Sequence, residues 1–504
     1  MHTVPYESEH SALLGAAQRE LAIARLCFLR DPAEALLRLP AHARLISPEG
    51  QEHLEQALRQ GEYPREELSQ LPRALGELAR GAVLHEGRRT LAGWLRSEIH
   101  VSGSGYLPIQ LLAMLAQPGT SPLGLHQVLH ALGEALDPHV GYWLDLSDRA
   151  NAAADAQLTA AERALPRKVE SSALGPPQPP AELAAPAPAP PSIPQLAETW
   201  LTETDDAARE LSAWLIKQSP VTVGDELARL WLGLRAPGLD GLSRPVRRFH
   251  RVAEGARRLG FERDMTARMH GETASGLLVP EPGCVAAGAL TGVRVLQPGL
   301  EYGWISDLAV AQGIGEGLAL ALISPALGPA AGALRSQSVS RSFGGLFLQL
   351  RAERNYLQRV DGLESKPAAQ LSRQTALWLL LRVRLAAAVC AAVDLPSRSQ
   401  AERRERLMRA GERALGRELP GSVLALSLVQ DATPVQTFAA LMRGLELHAA
   451  LREQYDSDFY MNPRVSEVVR GAAARGSLLT AAELATELRA APRAGIKRML
   501  ELLG

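Results

Sequence analysis

Apolar residues recur at three- and four-residue intervals along most of this chain, the spacing of helices with one buried face. Before residue 170 the pattern predicts helices over Glu7–Leu29, Pro32–Leu39, Pro48–Gln60, Pro64–Leu84, Leu91–Ile99 and 121–136. Asp31-Pro32, Ser47-Pro48 and Thr120-Ser121-Pro122 place a capping side chain or a proline at helix starts. Val101-Ser102-Gly103-Ser104-Gly105 reads as a plain turn. Past residue 196 the pattern predicts helices over Thr199–Ser219, Val223–Leu234, Pro245–Leu259, 305–324, 338–352, 369–394, 399–417, 433–455, 463–475 and 480–502. Between 275 and 298 short β-type runs, broken by Gly and Pro, predict a hairpin or a small sheet edge.

A Pro/Ala-rich segment interrupts this succession. Residues 171–195 hold nine prolines, too many for a helix or a central strand, and an Ala-Pro tract is an extended spacer. The expected organisation is an N-terminal helical region (1–170), a linker (171–195) and a helical domain (196–504).

Composition narrows the function classes. Aromatics are scarce at 4%, Ala and Leu dominate, and four lysines stand among 54 basic residues, so the positive charge is nearly all arginine. A net charge of −1 gives no field directed at nucleic acid or an anionic membrane. The apolar run 375–395 is interrupted by Arg382 and Arg384, and 317–334 contains Pro325 and Pro329, so neither is expected to span a membrane. Cys27, Cys284 and Cys390 are far apart and flanked by apolar residues, the pattern of reduced, buried thiols. The first residues lack the basic start and apolar core of a signal peptide. A cytoplasmic protein with no cofactor is expected.

One ordered set of segments carries chemistry. Leu277-Leu278-Val279-Pro280-Glu281-Pro282-Gly283 and Val293-Arg294-Val295-Leu296 precede Tyr302-Gly303-Trp304. The helix 305–324 follows, with Gln312-Gly313-Ile314-Gly315-Glu316 at its centre. Then comes Arg341-Ser342-Phe343-Gly344-Gly345-Leu346-Phe347, and near the end Phe459-Tyr460 with Asn462-Pro463-Arg464. This order resembles the thimet oligopeptidase and oligoendopeptidase F family of zinc metallopeptidases, over roughly 60% of the chain. In that family the central helix carries His-Glu-x-Gly-His: two imidazoles one turn apart hold zinc and the Glu activates a bound water. A Glu opening the later helix completes the ligand set.

The resemblance implies a mostly α fold: a multi-helix, zincin-like domain with one small β element, plus the N-terminal helical region. It places Gln312, Gly313 and Glu316 where the His-Glu-x-x-His residues stand, and Arg341 at the third ligand. Gln and Gly cannot replace the water-activating base, and an arginine stays protonated and cannot ligate zinc. The expectation is a degenerate, catalytically inactive metallopeptidase-like protein whose groove binds a peptide or a protein partner, such as an active relative. The alternative is a helical scaffold without peptidase ancestry. A Glu316–Arg341 ion pair is expected to replace the metal, with Gln312 as a neutral hydrogen-bonding neighbour.

Other constellations are weaker. His126-Gln127-Val128-Leu129-His130 puts two imidazoles on one helical face, with Glu134 or His139 as a third donor. Gln127 stands where a catalytic Glu would be, so surface histidines are the plainer reading. His270-Gly271-Glu272 with Cys284 lacks the second cysteine of a zinc deaminase, position 287 being Ala.

Overall fold

The computed structural model describes residues 9–30, 39–60, 68, 71–94, 96–116, 122–164, 192–219, 226–274, 283–286, 292–298, 301–324, 337–393, 399–416, 434–475, 481–490 and 493–503. The architecture is mostly α-helical with two small sheets. All but the last residue of the expected Pro32–Leu39 helix, most of the 171–195 segment and nearly all of the Leu277–Gly283 turn lie outside the described residues. So do the side chains of Cys27 and Cys284, while Cys390 is buried.

The N-terminal region opens with α1 (Glu9–Arg30), α2 (Pro40–Leu45) and α3 (Pro48–Gln60). Next comes α4 (Leu71–Trp94), one helix where the pattern had suggested two. The polar stretch between Leu84 and Leu91 breaks the apolar period but holds no proline. Gly87 lies so close to a later helix that a Cβ there would stand 2.1 Å from Leu146 Cδ2, so tertiary contact carries the helix through. Ile99 falls in a hairpin instead. Strands β1 (Ile99–Val101) and β2 (Ser104–Tyr106) pair antiparallel around Ser102 and Gly103, at φ 51° and 85°. Two consecutive positive φ values are what a tight two-residue hairpin needs, so the expected plain turn is a second β element. Helices α5 (Pro108–Ala116), α6 (Pro122–Leu136) and α7 (Val140–Ala164) complete the region.

Helix α8 (Ile193–Gln218) starts inside the segment read as linker. Ser192 makes a capping box there: its hydroxyl accepts from Gln195 N–H and Gln195 Oε1 accepts from Ser192 N–H. It is followed by α9 (Glu226–Arg235). The helix expected over Pro245–Leu259 is broken into α10 (Arg248–Val252), a short turn and a π-type stretch at Arg257–Phe261, before α11 (Glu262–Arg268). Gly260 at φ 94° marks the break, a conformation a side-chain-bearing residue reaches only at a cost.

Strands β3 (Met269–Ala274), β4 (Gly283–Ala286) and β5 (Val293–Pro298) form a sheet of order β3-β5-β4. β5 runs parallel to β3, with Met269 opposite Val293, and antiparallel to β4, with Cys284 opposite Val295. The expected hairpin is thus β4–β5, and β3 was not foreseen. Beneath the sheet lies α12 (Trp304–Ala321); Met269, Val293 and Val295 close over its Gly317. The remaining helices are α13 (Gln337–Leu350), α14 (Arg354–Arg359), α15 (Ser365–Val393), α16 (Gln400–Leu415), α17 (Pro434–Tyr455), α18 (Pro463–Ala474), α19 (Ala481–Glu487) and α20 (Ala494–Leu503). The last two divide the helix expected over 480–502, with Arg489 and Arg493 at positive φ between them.

The two regions share packing. Val389 of α15 and Leu407 of α16 join the core of Trp94, Leu111, Val128, Leu132 and Trp143. Leu125 of α6 packs on Ala228 and Leu232 of α9, and Trp231 Nε1 donates to Leu115 O. Ion pairs Arg403–Asp148 and Arg404–Asp137, both 2.6 Å, tie α16 to the N-terminal helices. α1 reaches β3 and β4. α15 is long and apolar enough by length and composition to cross a membrane, but 78% of its most apolar window is buried inside the fold.

Candidate functional site

Every residue of α12 is buried, so its polar side chains need partners in the protein. At its start Gly303, at φ 59°, sits so close to Asp240 that a Cβ would meet Oδ1 at 1.7 Å. Asp240 takes two bonds from Arg235, at 2.6 and 2.7 Å, and Trp304 Nε1 donates to Arg235 O. Asp307 in the first turn accepts from Ser243 Oγ, Arg248 Nε and Arg251 Nη2 at 2.9, 2.8 and 2.6 Å. A carboxylate at a helix N-terminus also meets the positive end of the helix dipole. These contacts set where α12 begins, and with it the height of Gln312 and Glu316 two turns later. Tyr302 beside them is buried, which pushes its phenol above the usual range and keeps it neutral.

At mid-helix the side chains of Gln312 and Glu316 lie one turn apart on one face. Gln312 Nε2 donates to Glu316 Oε1 at 3.1 Å, while Gln312 Oε1 accepts from Arg382 Nη1 of α15 at 2.7 Å. The neutral amide therefore relays between a guanidinium and a carboxylate, with both its ends satisfied. Arg382 lies over the Trp378 ring, 5.0 Å from its centroid, a cation–π arrangement that holds the guanidinium plane. Arg341 of α13 donates Nη1 to Thr437 Oγ1 of α17 at 3.1 Å. Glycines make this junction possible. Gly344 lies against the Gln312 and Glu316 side chains, and Gly345 against Gly444 of α17, where an added Cβ would meet Gly444 Cα at 3.0 Å.

The site is layered. Gln312 and Glu316 form a buried floor at 4% and 9% exposure, and Arg341, Arg382 and Thr437 form a partly exposed rim. Gly313 contributes backbone alone. Among the described residues no three His, Cys, Asp or Glu side chains gather into a metal-ion donor set. Around Gln312 the described donors are an amide, a carboxylate, guanidinium groups and a hydroxyl, a set that does not suit zinc. On α6, His126 and His130 hold their rings 6.1 Å apart, and His130 Nδ1 is 3.7 Å from Glu134 Oε1 on an exposed surface. Arg382, Trp378 and Thr437 were missed from sequence. The signal for Arg382 was there: an arginine inside an apolar run needs a partner once buried.

A second polar knot lies deeper. Glu353 accepts from Arg452 at 3.2 Å and from Arg498, with His448 Nε2 3.4 Å away. Burial opposes ionisation of Glu353, but His448, Arg498 and Arg452 outweigh it and hold the carboxyl below its usual range. Burial pushes His448 down to about 4, against the pull of Glu353, so the imidazole is neutral at pH 7. Buried at Glu353, His448 and Arg498 and half-open at Arg452, this knot joins α17 and α20 to the loop before α14.

No protein-family model matches the chain, and no curated protein matches it in sequence. Solved structures do match. PZ peptidase A, determined with an inhibitor, superposes with a TM-score of 0.60 at 9% identity, covering 100% of this chain and 98% of that one. A protein assigned as oligoendopeptidase F from Bacillus anthracis str. Ames gives 0.55 at 9% identity, covering 95% and 88%. A further structure assigned as oligoendopeptidase F gives 0.53 at 11%, covering 92% and 82%. At these identities the likeness is one of fold, and it extends over the N-terminal helices as well as the region 196–504.

Proposed function

We propose that this chain is a catalytically inactive relative of the zinc oligopeptidases, a cytoplasmic pseudoenzyme whose groove binds a peptide or a protein partner such as an active relative. The observation that carries the reading is the Arg382–Gln312–Glu316 hydrogen-bond chain in the middle of a buried helix. The resembled enzymes place zinc-binding imidazoles at this spacing on the matching helix. A glutamine amide neither gives nor takes a proton near neutral pH, Gly313 has no side chain to act as base, and a guanidinium cannot ligate a cation. The full-length likeness to PZ peptidase A supports descent from such a frame.

In this reading an ion pair between Glu316 and Arg341 joins the two helices that a metal joins in the enzymes. Supporting it, Glu316 Cγ lies where a Cβ on Gly344 would come within 2.6 Å, and Arg341 sits one turn earlier on the same helix, about 4.5 Å along its axis. That is within the reach of an arginine side chain.

The test is metal analysis of the purified protein together with a peptide-cleavage assay. Less than a tenth of an equivalent of zinc and no chelator-sensitive cleavage are expected. Stoichiometric zinc with chelator-sensitive turnover would overturn the proposal. Absence of zinc, cleavage and peptide binding together would favour a helical scaffold.

A further inference from the structure

We propose that α1 is an acid-released strap: protonation of buried histidines at its joint with α2 and α3 lifts the helix and frees the strands β3 and β4 that it touches. The device does not depend on what the groove binds.

α1 has two attachments. Leu14 and Ala17 sit in a core with Leu54 of α3 and Leu75 and Leu78 of α4. The same helix touches β3 and β4, the strands that flank β5 in the sheet over α12. Loss of the first attachment therefore loosens the second.

The first attachment is built on titratable groups. His10 of α1 and His42 of α2 are buried, at 1% and 5% exposure. His10 borders a recess of about 20 Å³ shared with Gln51 and Glu55 of α3, Leu75 of α4 and Gln157 of α7. That is room for about one water, too little to hydrate an imidazolium. His53 of α3 lies near enough to repel a charge on His10. His42 Nε2 is buried and has no hydrogen-bond partner among the described residues, so a proton there would be poorly solvated. At the same joint Glu20 of α1 accepts from the backbone N–H groups of Ala41 and His42, at 2.9 and 3.0 Å. Glu20 thus ties α1 to the start of α2 beside the two histidines.

The direction follows from linkage. Burial, then His53, brings His10 down to about 4 from 6.5. Burial also lowers His42, against the Leu78 backbone and Glu20, which favour the charged ring. Below pH 6.5 a lifted helix takes up protons that the seated helix refuses. Between pH 7 and pH 5 the His10 difference alone multiplies the lifted population by roughly twentyfold, and His42 acts with the same sign. Such local opening leaves the rest of the fold in place.

Hydrogen exchange measured by mass spectrometry on the full chain tests this, at pH 7 and pH 5 with labelling times scaled to the intrinsic rate. Expected is exchange of α1 and α2 at least tenfold faster at pH 5, with an increase at β3 and β4, while α15 stays protected over the same labelling times. His10→Gln combined with His42→Gln, which cannot take up these protons, should remove most of the acid increase. His53→Gln, which removes only the like charge, should lessen it and serves where the double variant does not fold. Equal exchange of α1 at both pH values, or an acid increase undiminished in the folded variants, overturns the proposal. So does opening of α1 with β3 and β4 unchanged, or loss of protection in α1 and α15 together.

Discussion

Gly315 and Gly344 face each other where α12 and α13 cross. A Cβ on Gly315 would lie 2.4 Å from the carbonyl oxygen of Phe343, and one on Gly344 would lie 2.6 Å from Glu316 Cγ. The helices meet backbone to backbone, and this is why Gln312 and Glu316 can reach residues of neighbouring helices.

Gly315→Ala should therefore destabilise the fold. The obstacle is backbone, which cannot swing aside, so overpacking of about 1–3 kcal/mol outweighs the gain of roughly 1 kcal/mol in helix propensity. Gly471 in α18 has nothing within 4 Å of its would-be Cβ, so Gly471→Ala should be neutral or stabilising. Urea unfolding of the two variants checks the contrast; equal effects would contradict the close approach.

The proposed Glu316–Arg341 pair is open to a double-mutant cycle. Glu316→Gln and Arg341→Gln should each cost roughly 2–4 kcal/mol, below the 3–5 kcal/mol of a fully enclosed pair because Arg341 is partly exposed. The double variant should lose distinctly less than the two single losses together. A coupling near zero would remove the pair.

Acid should weaken the fold through histidines before carboxylates. Burial, and for His10 the neighbouring His53, brings His10 and His448 down to about 4 from 6.5. Below pH 6.5 the unfolded chain takes up protons that the folded chain refuses. Stability is full above that pH and declines as it falls toward 4, by up to about 3 kcal/mol for His448. Glu353, depressed in the folded state, adds a loss at still lower pH. Urea midpoints measured from pH 7.5 to 4.5 should fall steadily, with a shallower slope in His448→Phe.

A chain cut within residues 176–191, at an inserted protease site, should not come apart. Arg403–Asp148, Arg404–Asp137 and the joint core of Trp143, Val389 and Leu407 hold the pieces. Size-exclusion chromatography of the cut protein should show one peak at the uncut position; two separate peaks would show that the shared core contributes little.

Helices with clear punctuation were legible in the sequence. Pro48–Gln60 matches residue for residue, because Ser47-Pro48 marks its start and the apolar period runs to its end. The largely apolar frame of 305–324 became α12, which runs from Trp304 to Ala321. What was not legible depends on contacts distant in sequence. β3 shows no alternation, and only Met269 and Ala274 of it are buried; it is a strand because β5 lies beside it. Arg382 looked like an interruption of an apolar run, and its meaning appears only with Gln312 opposite, 70 positions earlier. Thr437 carries no local signal at all.

The penetration of α15 and α16 into the N-terminal core also bears on how the chain is made. Trp143 and Leu144 leave the ribosome about 240 residues ahead of Val389, their neighbour in that core. At a synthesis rate of about 5–20 residues per second, the early helices wait roughly 10–50 s with an apolar socket open. Through that interval the nascent N-terminal region is a sticky, half-finished body. The last part of that core to be made is carried by α15 and α16, so the N-terminal core reaches its native packing only after Val389 and Leu407 have been synthesised.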